Sequence, residues 1–188
     1  MRIDYSRSIR VWHWLNAIAV SGLLLTFLLR KTFLSWRTNS HIIIDKFASF
    51  GIDVSAEQAK AVAKAIRAPM WEWHIIFGVM LAFLLLFRAW IFWQEAGFGY
   101  EDEDSAHMKM VHWGYRLIYF ILLFMAASGL ILNWHESLGL SDILTHTIKE
   151  VHEVMAWVVA VFVPLHIVGV FIAENDNERG IVSRMISG

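Results

Sequence analysis

Residues 149–172 read KEVHEVMAWVVAVFVPLHIVGVFI, an apolar run long enough to cross a bilayer and broken by two histidines, His152 and His166. A segment immersed in lipid must satisfy its own backbone hydrogen bonds, so this run has to be a helix. The fourteen-residue histidine spacing falls about 40° short of four full turns, which puts both imidazoles on nearly one face. At about 1.5 Å of rise per residue they stand roughly 21 Å apart along the axis. No single metal ion reaches both. The spacing suits two separate cofactors stacked through a hydrocarbon core about 30 Å thick, and the rest of the chain has to supply a partner for each histidine.

Three more apolar runs precede this one. The first, 11–29, is bounded by Arg10 and Arg30; the second, 73–93, is interrupted only by Arg88; the third, 111–132, carries Arg116 near its start. With the fourth, at 151–173, each comes near the length of about 20 residues that a spanning helix needs. Composition agrees: 57% of residues are hydrophobic and 18% charged, against about half and about a quarter in soluble domains. Several of the ten tryptophans lie at the ends of apolar runs, where indole favours the membrane interface. The expected fold class is all-α, an integral membrane four-helix bundle forming a single unit over 1–188. Arg2, Arg7 and Arg10 make a basic start, but the run that follows is longer than a signal-peptide core and no small-residue cleavage site ends it, so it is expected to be retained.

An even number of crossings puts both termini on one side. Between the first two runs lies a polar extramembrane segment, 31–70, too long for a simple turn. Within it SAEQAKAVAKAIR, 55–67, shows a capping box at Ser55 and Gln58, with Ala59, Val62, Ala63 and Ile66 at helical spacing. A short extra helix is expected there, resting on the bundle end or lipid surface and stopped by Pro69. The acidic run EDED at 101–104 reads as a solvated turn, and 133–149 as a short connection with Gly139, Ser141 and Asp142 as turn residues. Lys and Arg divide eight to eight between the two sides, so the positive-inside rule ties. Discounting charges in the middle of the long loop favours cytoplasmic termini.

Several chemistries are excluded. Cysteine is absent, which removes disulfides, iron–sulfur ligation and covalent haem attachment through Cys-x-x-Cys-His. A net charge of −1 lacks the basic footprint of nucleic-acid binding. His135-Glu136 and His152-Glu153 are not followed by the second histidine of a zinc-protease motif. No phosphate loop, nucleophile motif or dinucleotide fingerprint occurs.

Depth then sorts the intramembrane histidines. His13, early in the first run, is level with His166, late in the fourth; His74 and His152 begin the second and fourth runs on the opposite side. A lone histidine in an apolar run is more often a hydrogen-bonded structural residue than a ligand. Two level pairs are another matter, because ionisable groups in a membrane mark function by default. Paired imidazoles without thiols or carboxylate clusters fit bis-histidine haem ligation. Small residues follow each histidine by about one turn: Ala17, Gly78, Ala156 and Gly169. They leave room for a flat macrocycle, and Gly22, Ser128 and Gly129 are read the same way. Arg88, fourteen residues after His74, and Arg116 are candidate partners for haem propionates, with interfacial snorkelling as the alternative. His112 starts the third run at the depth of the His13 pair; it reads first as an interfacial residue, and otherwise as a substitute for one assigned ligand or a hydrogen-bond partner of a quinone or a propionate. His41, His107, His135 and His146 are expected in loops.

IRVWHWLNA in the first run, WHIIFG in the second, HEVMAWVVAVFVPLH in the fourth and the tail ENDNERGIVSRMISG together resemble the bacterial cytochrome b561 family. They are similar also to the b-type cytochrome subunits of membrane-bound nickel–iron hydrogenases and formate dehydrogenases. The resemblance covers nearly the whole chain. It implies one haem b on His13 and His166, a second on His74 and His152, and cytoplasmic termini in a bacterial inner membrane. It also implies quinone chemistry near His13, His166, His112, Arg10 and Asn16, and an electron donor in the periplasm. The expected function is transmembrane electron transfer between quinone and a periplasmic redox partner subunit such as a hydrogenase or dehydrogenase, with self-association left open. One alternative is a stand-alone oxidoreductase passing electrons from superoxide or another small reductant to quinone, with Lys60, Lys64 and Arg67 steering the anion. A non-redox transporter or anchor using the histidines for zinc or copper is a third.

Overall fold

The computed structural model describes residues 5–94, 106–175 and 179–188. Among them are six helices and no strand: α1 (Arg7–Lys31), α2 (Trp36–Ala48), α3 (Ala56–Gln94), α4 (Ala106–Asn133), α5 (Asp142–Asn175) and α6 (Ile181–Ile186). The four expected spans fall in α1, α3, α4 and α5, and all four helices are long and apolar enough to cross a membrane. Large apolar side chains including Ile18, Leu25, Phe83, Leu86, Phe120 and Val161 point outward. Such a surface suits hydrocarbon rather than water. The chain is an all-α, multi-span membrane protein, as its apolar runs require.

Two compact units divide the chain, Met1–Ile18 with Val79–Gly188, and Ala19–Gly78. The first holds segments of all four long helices and is a four-helix bundle in its own right. Trp12 is buried, its Nε1–H donates to the Leu84 carbonyl at 2.7 Å, and its ring lies 5.8 Å from that of Tyr119. These contacts tie α1 to α3 and α4. Helices α4 and α5 run antiparallel, since Ser128 meets His152 while Tyr115 meets His166. After α5 the chain turns back: the Glu174 carboxylate accepts the Gly180 and Val182 N–H groups at 2.8 and 3.1 Å. Gly180 takes φ +86°, open to a residue without Cβ. The Trp14 Nε1–H donates to the Met185 carbonyl at 3.1 Å, which fastens α6 to α1.

The second unit contains the rest of α1, all of α2 and the first part of α3, and here the sequence expectations are corrected. The segment 31–70 is largely helical. Its separate extra helix is α2, and the Lys60 ammonium lies 4.9 Å from the centre of the Trp36 ring at the α2 start. The capping box forms as expected, Ser55 Oγ accepting the Gln58 N–H at 3.2 Å and Gln58 Oε1 accepting the Ser55 N–H at 2.9 Å. The helix it opens does not stop at Pro69, however; it continues into the second span as one helix. An interior proline loses a backbone hydrogen bond and crowds the carbonyl four residues back, at a cost of about 3 kcal/mol. Ala59, Ala63 and Met70 are all buried, on one stripe that crosses the proline, and continuous packing offsets that cost.

A third correction concerns 133–149. Gly139 makes the expected turn with φ +63°, but α5 already begins at Asp142, where Ser141 Oγ accepts the Leu144 N–H at 3.4 Å. His41 and His146 therefore sit on helices rather than in loops. The EDED run lies outside the described residues.

Candidate functional site

His13 on α1 and His166 on α5 face each other in the first unit, ring centres 6.3 Å apart. Two metal–imidazole bonds of about 2.0 Å, plus about 1 Å from each nitrogen to its ring centre, come to about 6 Å. The separation therefore fits one six-coordinate iron between them. Aromatic rings line the pair. Trp14 stands edge-on to His13 at 5.4 Å, Phe162 stacks on His166 at 5.7 Å, and Tyr115 of α4 meets His166 edge-on at 6.2 Å. The sequence reading missed all three. Phe162, one helical turn before His166, was accessible from spacing; Tyr115 comes from another helix and was not.

Arg88 of α3 lies 5.6 Å from the centre of the Trp12 ring and 5.8 Å from that of Tyr119. It thus reaches the level of the residue next to His13, where the depth argument places it. Arg116 is exposed and lies over the Trp113 ring at 5.2 Å. His112 is half-buried on the first part of α4. Asn16, three residues after His13, has its buried Oδ1 without a hydrogen-bond partner among the described residues. The Arg10 guanidinium lies against Gly188, and its buried Nε likewise lacks a partner there.

The other two histidines are held differently. In the second unit the Thr26 hydroxyl lies 2.8 Å from His74 Nδ1, and Trp71 packs edge-on to the imidazole at 5.5 Å. Arg30 and Arg67 place guanidiniums 5.7 and 5.9 Å from the centre of Trp71. In the first unit the Ser128 hydroxyl lies 2.8 Å from His152 Nδ1. Beside it, a Cβ on Gly129 would come within 3.3 Å of His152 Cε1. Gly22 and Gly129 therefore serve close helix approach, Gly22 against the Phe77 ring and Gly129 against His152, and Ser128 serves a hydrogen bond. A Cβ built on Gly78 or Gly169 meets nothing within 4 Å, so both positions border open space.

No group of three or more histidine, aspartate or glutamate side chains gathers among the described residues. Structural zinc takes four protein ligands, so paired imidazoles suit better a metal that brings an equatorial cage of its own. A family model described as prokaryotic cytochrome b561 matches residues 4–188. No curated protein and no solved structure matches the chain significantly.

Proposed function

Since the chain belongs to the prokaryotic cytochrome b561 family and is a membrane-spanning b-type cytochrome binding haem b, we propose that it carries electrons between a periplasmic donor and quinone through two haems. His13 and His166 are the axial ligands of one haem, and His74 and His152 those of the other, by the depth match of the sequence. The observation that carries this reading is the facing of His13 and His166 at 6.3 Å. When bound, the haem supplies one-electron iron chemistry, tuned by its axial ligands and surroundings.

The protein's own groups do the rest. Trp14, Phe162 and Tyr115 wall the first pair with apolar rings and exclude water. Arg88 offers guanidinium N–H donors to propionate carboxylates at the same level; Arg116, exposed on α4, is the second candidate. Asn16 Oδ1 accepts a hydroxyl hydrogen of a quinol head group, while Arg10 and His112 complete that polar neighbourhood. The donor on the opposite face is a redox subunit of hydrogenase or dehydrogenase type, with both termini cytoplasmic in the inner membrane.

Purified full-length chain in mild detergent tests this directly. The expected haem content is two per polypeptide. Alanine at His13 or His166 removes one pigment, and alanine at His74 or His152 removes the other. A wild-type content of one, or no reduced b-type α-band after dithionite, ends the proposal; a colourless protein that binds zinc would favour the transporter reading.

A second reading has its own observation. Arg30 and Arg67 converge on Trp71, which touches His74, and paired guanidiniums attract a small anionic reductant such as superoxide. Quinone reduction by the purified chain alone, slowed by Arg67→Gln, distinguishes this enzyme from a relay subunit.

A further inference from the structure

Thr26, Ser40 and Ser128 are the buried polar residues among those described. Two of the three lie against a candidate haem ligand. Buried Ser and Thr in spanning helices commonly bond the carbonyl one turn back and nothing else. These two do more.

Thr26 Oγ1 lies 3.0 Å from the Gly22 carbonyl and 2.8 Å from the Leu23 carbonyl, so its hydrogen is donated to its own helix. The hydroxyl oxygen then has only lone pairs to offer His74, and at 2.8 Å the bond requires the hydrogen to sit on Nδ1. Ser128 repeats the arrangement in the other unit. Its Oγ lies 2.7 Å from the Phe124 carbonyl and 3.3 Å from the Met125 carbonyl, leaving lone pairs for His152 Nδ1 at 2.8 Å. Each imidazole is thereby set in the Nδ1–H tautomer, with Nε2 as its coordinating nitrogen. Close helix approach holds both contacts: Gly22 abuts Phe77, three residues after His74, and Gly129 abuts His152. Around His13 and His166 the contacts are aromatic rings, and among the described residues no hydroxyl bonds either one.

We propose that Thr26 and Ser128 are positioning residues that fix the tautomer of His74 and His152 and make both imidazoles stronger donors than His13 and His166. An acceptor on the far N–H raises the basicity of a metal-bound imidazole. A more basic ligand favours ferric over ferrous iron, so the haem on His74 and His152 has the lower potential of the two. That ordering runs downhill from the donor face towards the quinone face. The inference rests on the two-haem assignment above.

The test uses full-length protein in detergent, titrated potentiometrically at both haem bands, with low-temperature EPR of the ferric state. Histidine-to-alanine variants first assign each band. In the wild type the His74 and His152 band is expected to titrate lower. Thr26→Val and Ser128→Ala each raise that band's potential and shift its EPR signal, leaving the other band alone. A tenfold change in the ferric-to-ferrous binding ratio reads as about 59 mV for one electron. Thr26→Ser and Ser128→Thr restore both readouts. If Val or Ala variants lose that haem, retention in the hydroxyl-bearing variants carries the same conclusion; loss in those as well overturns it. Unchanged potentials, or equal shifts at both bands, also overturn it. A wild-type content of one haem is seen earlier, in the haem count, and fails the underlying two-haem assignment instead.

Discussion

Around His74 the second unit sets a buried hydroxyl, a glycine pressed on Phe77, and a helix that continues through a proline. Around His13 and His166 the first unit sets three aromatic rings and a folded-back tail fastened at Trp14. Both are ways of orienting an imidazole where water is absent. A hydrogen bond fixes the ring's rotation and its tautomer together, and it tunes the bound metal electronically. Aromatic packing fixes the ring's plane and leaves its nitrogens electronically alone. The difference teaches that the two proposed ligand pairs, though of one residue type in one chain, need not give their haems the same potential.

The largest expected effect comes from removing a ligand. His166→Ala should leave one haem per chain, lose the pigment shared with His13, and spare the other band in reduced-minus-oxidised spectra. Loss of both pigments would mean that the two regions do not act as separate sites. Next is the proline. Pro69→Ala should raise the unfolding temperature, because alanine is about 3 kcal/mol more favourable than proline in a helix interior. An unchanged melting curve would imply that the helix does end there and that the His74 region is less rigid than described.

Gly22→Ala works in the opposite direction. Its Cβ would lie 2.5 Å from the Phe77 ring, and overpacking of this kind costs about 1–3 kcal/mol. Thermal unfolding should fall, with the His74-side band broadened and the His13-side band unchanged. Smallest is Trp14→Phe, which keeps an aromatic ring by His13 and removes the 3.1 Å bond to the Met185 carbonyl. A net loss of about 0.5–1.5 kcal/mol is expected, read as faster proteolysis of the tail at constant haem content. A fall in haem content would show that the tail bond also holds His13 in place.

Much of this was legible in the chain itself. The spans are long unbroken stretches of apolar residues, and lipid leaves them no structure but helix. The pairing of His13 with His166 followed from counting residues along two such helices, and the rings do meet. Arg88 likewise stands at the counted depth. The misjudged places share a cause. Pro69 is locally a helix stop, and only the buried stripe of Ala59, Ala63 and Met70 across it carries the helix onward. The segment 36–48 reads in sequence only as part of the polar connection, and its α2 start packs beside Lys60 of another helix. Depth also says nothing of rotation about a helix axis, so only the structure shows Arg116 exposed over Trp113.

By itself, then, the order of residues determined that four helices are long and apolar enough to cross a membrane and that His13 and His166 fall at one level. These are properties of one helix at a time, set by hydropathy and a regular rise. Tertiary structure alone decided that Thr26 reaches His74 and Ser128 reaches His152, partners 48 and 24 residues apart. Such contacts depend on how neighbouring helices turn and how closely they approach, which glycines, packed rings and buried stripes settle jointly and no single stretch encodes.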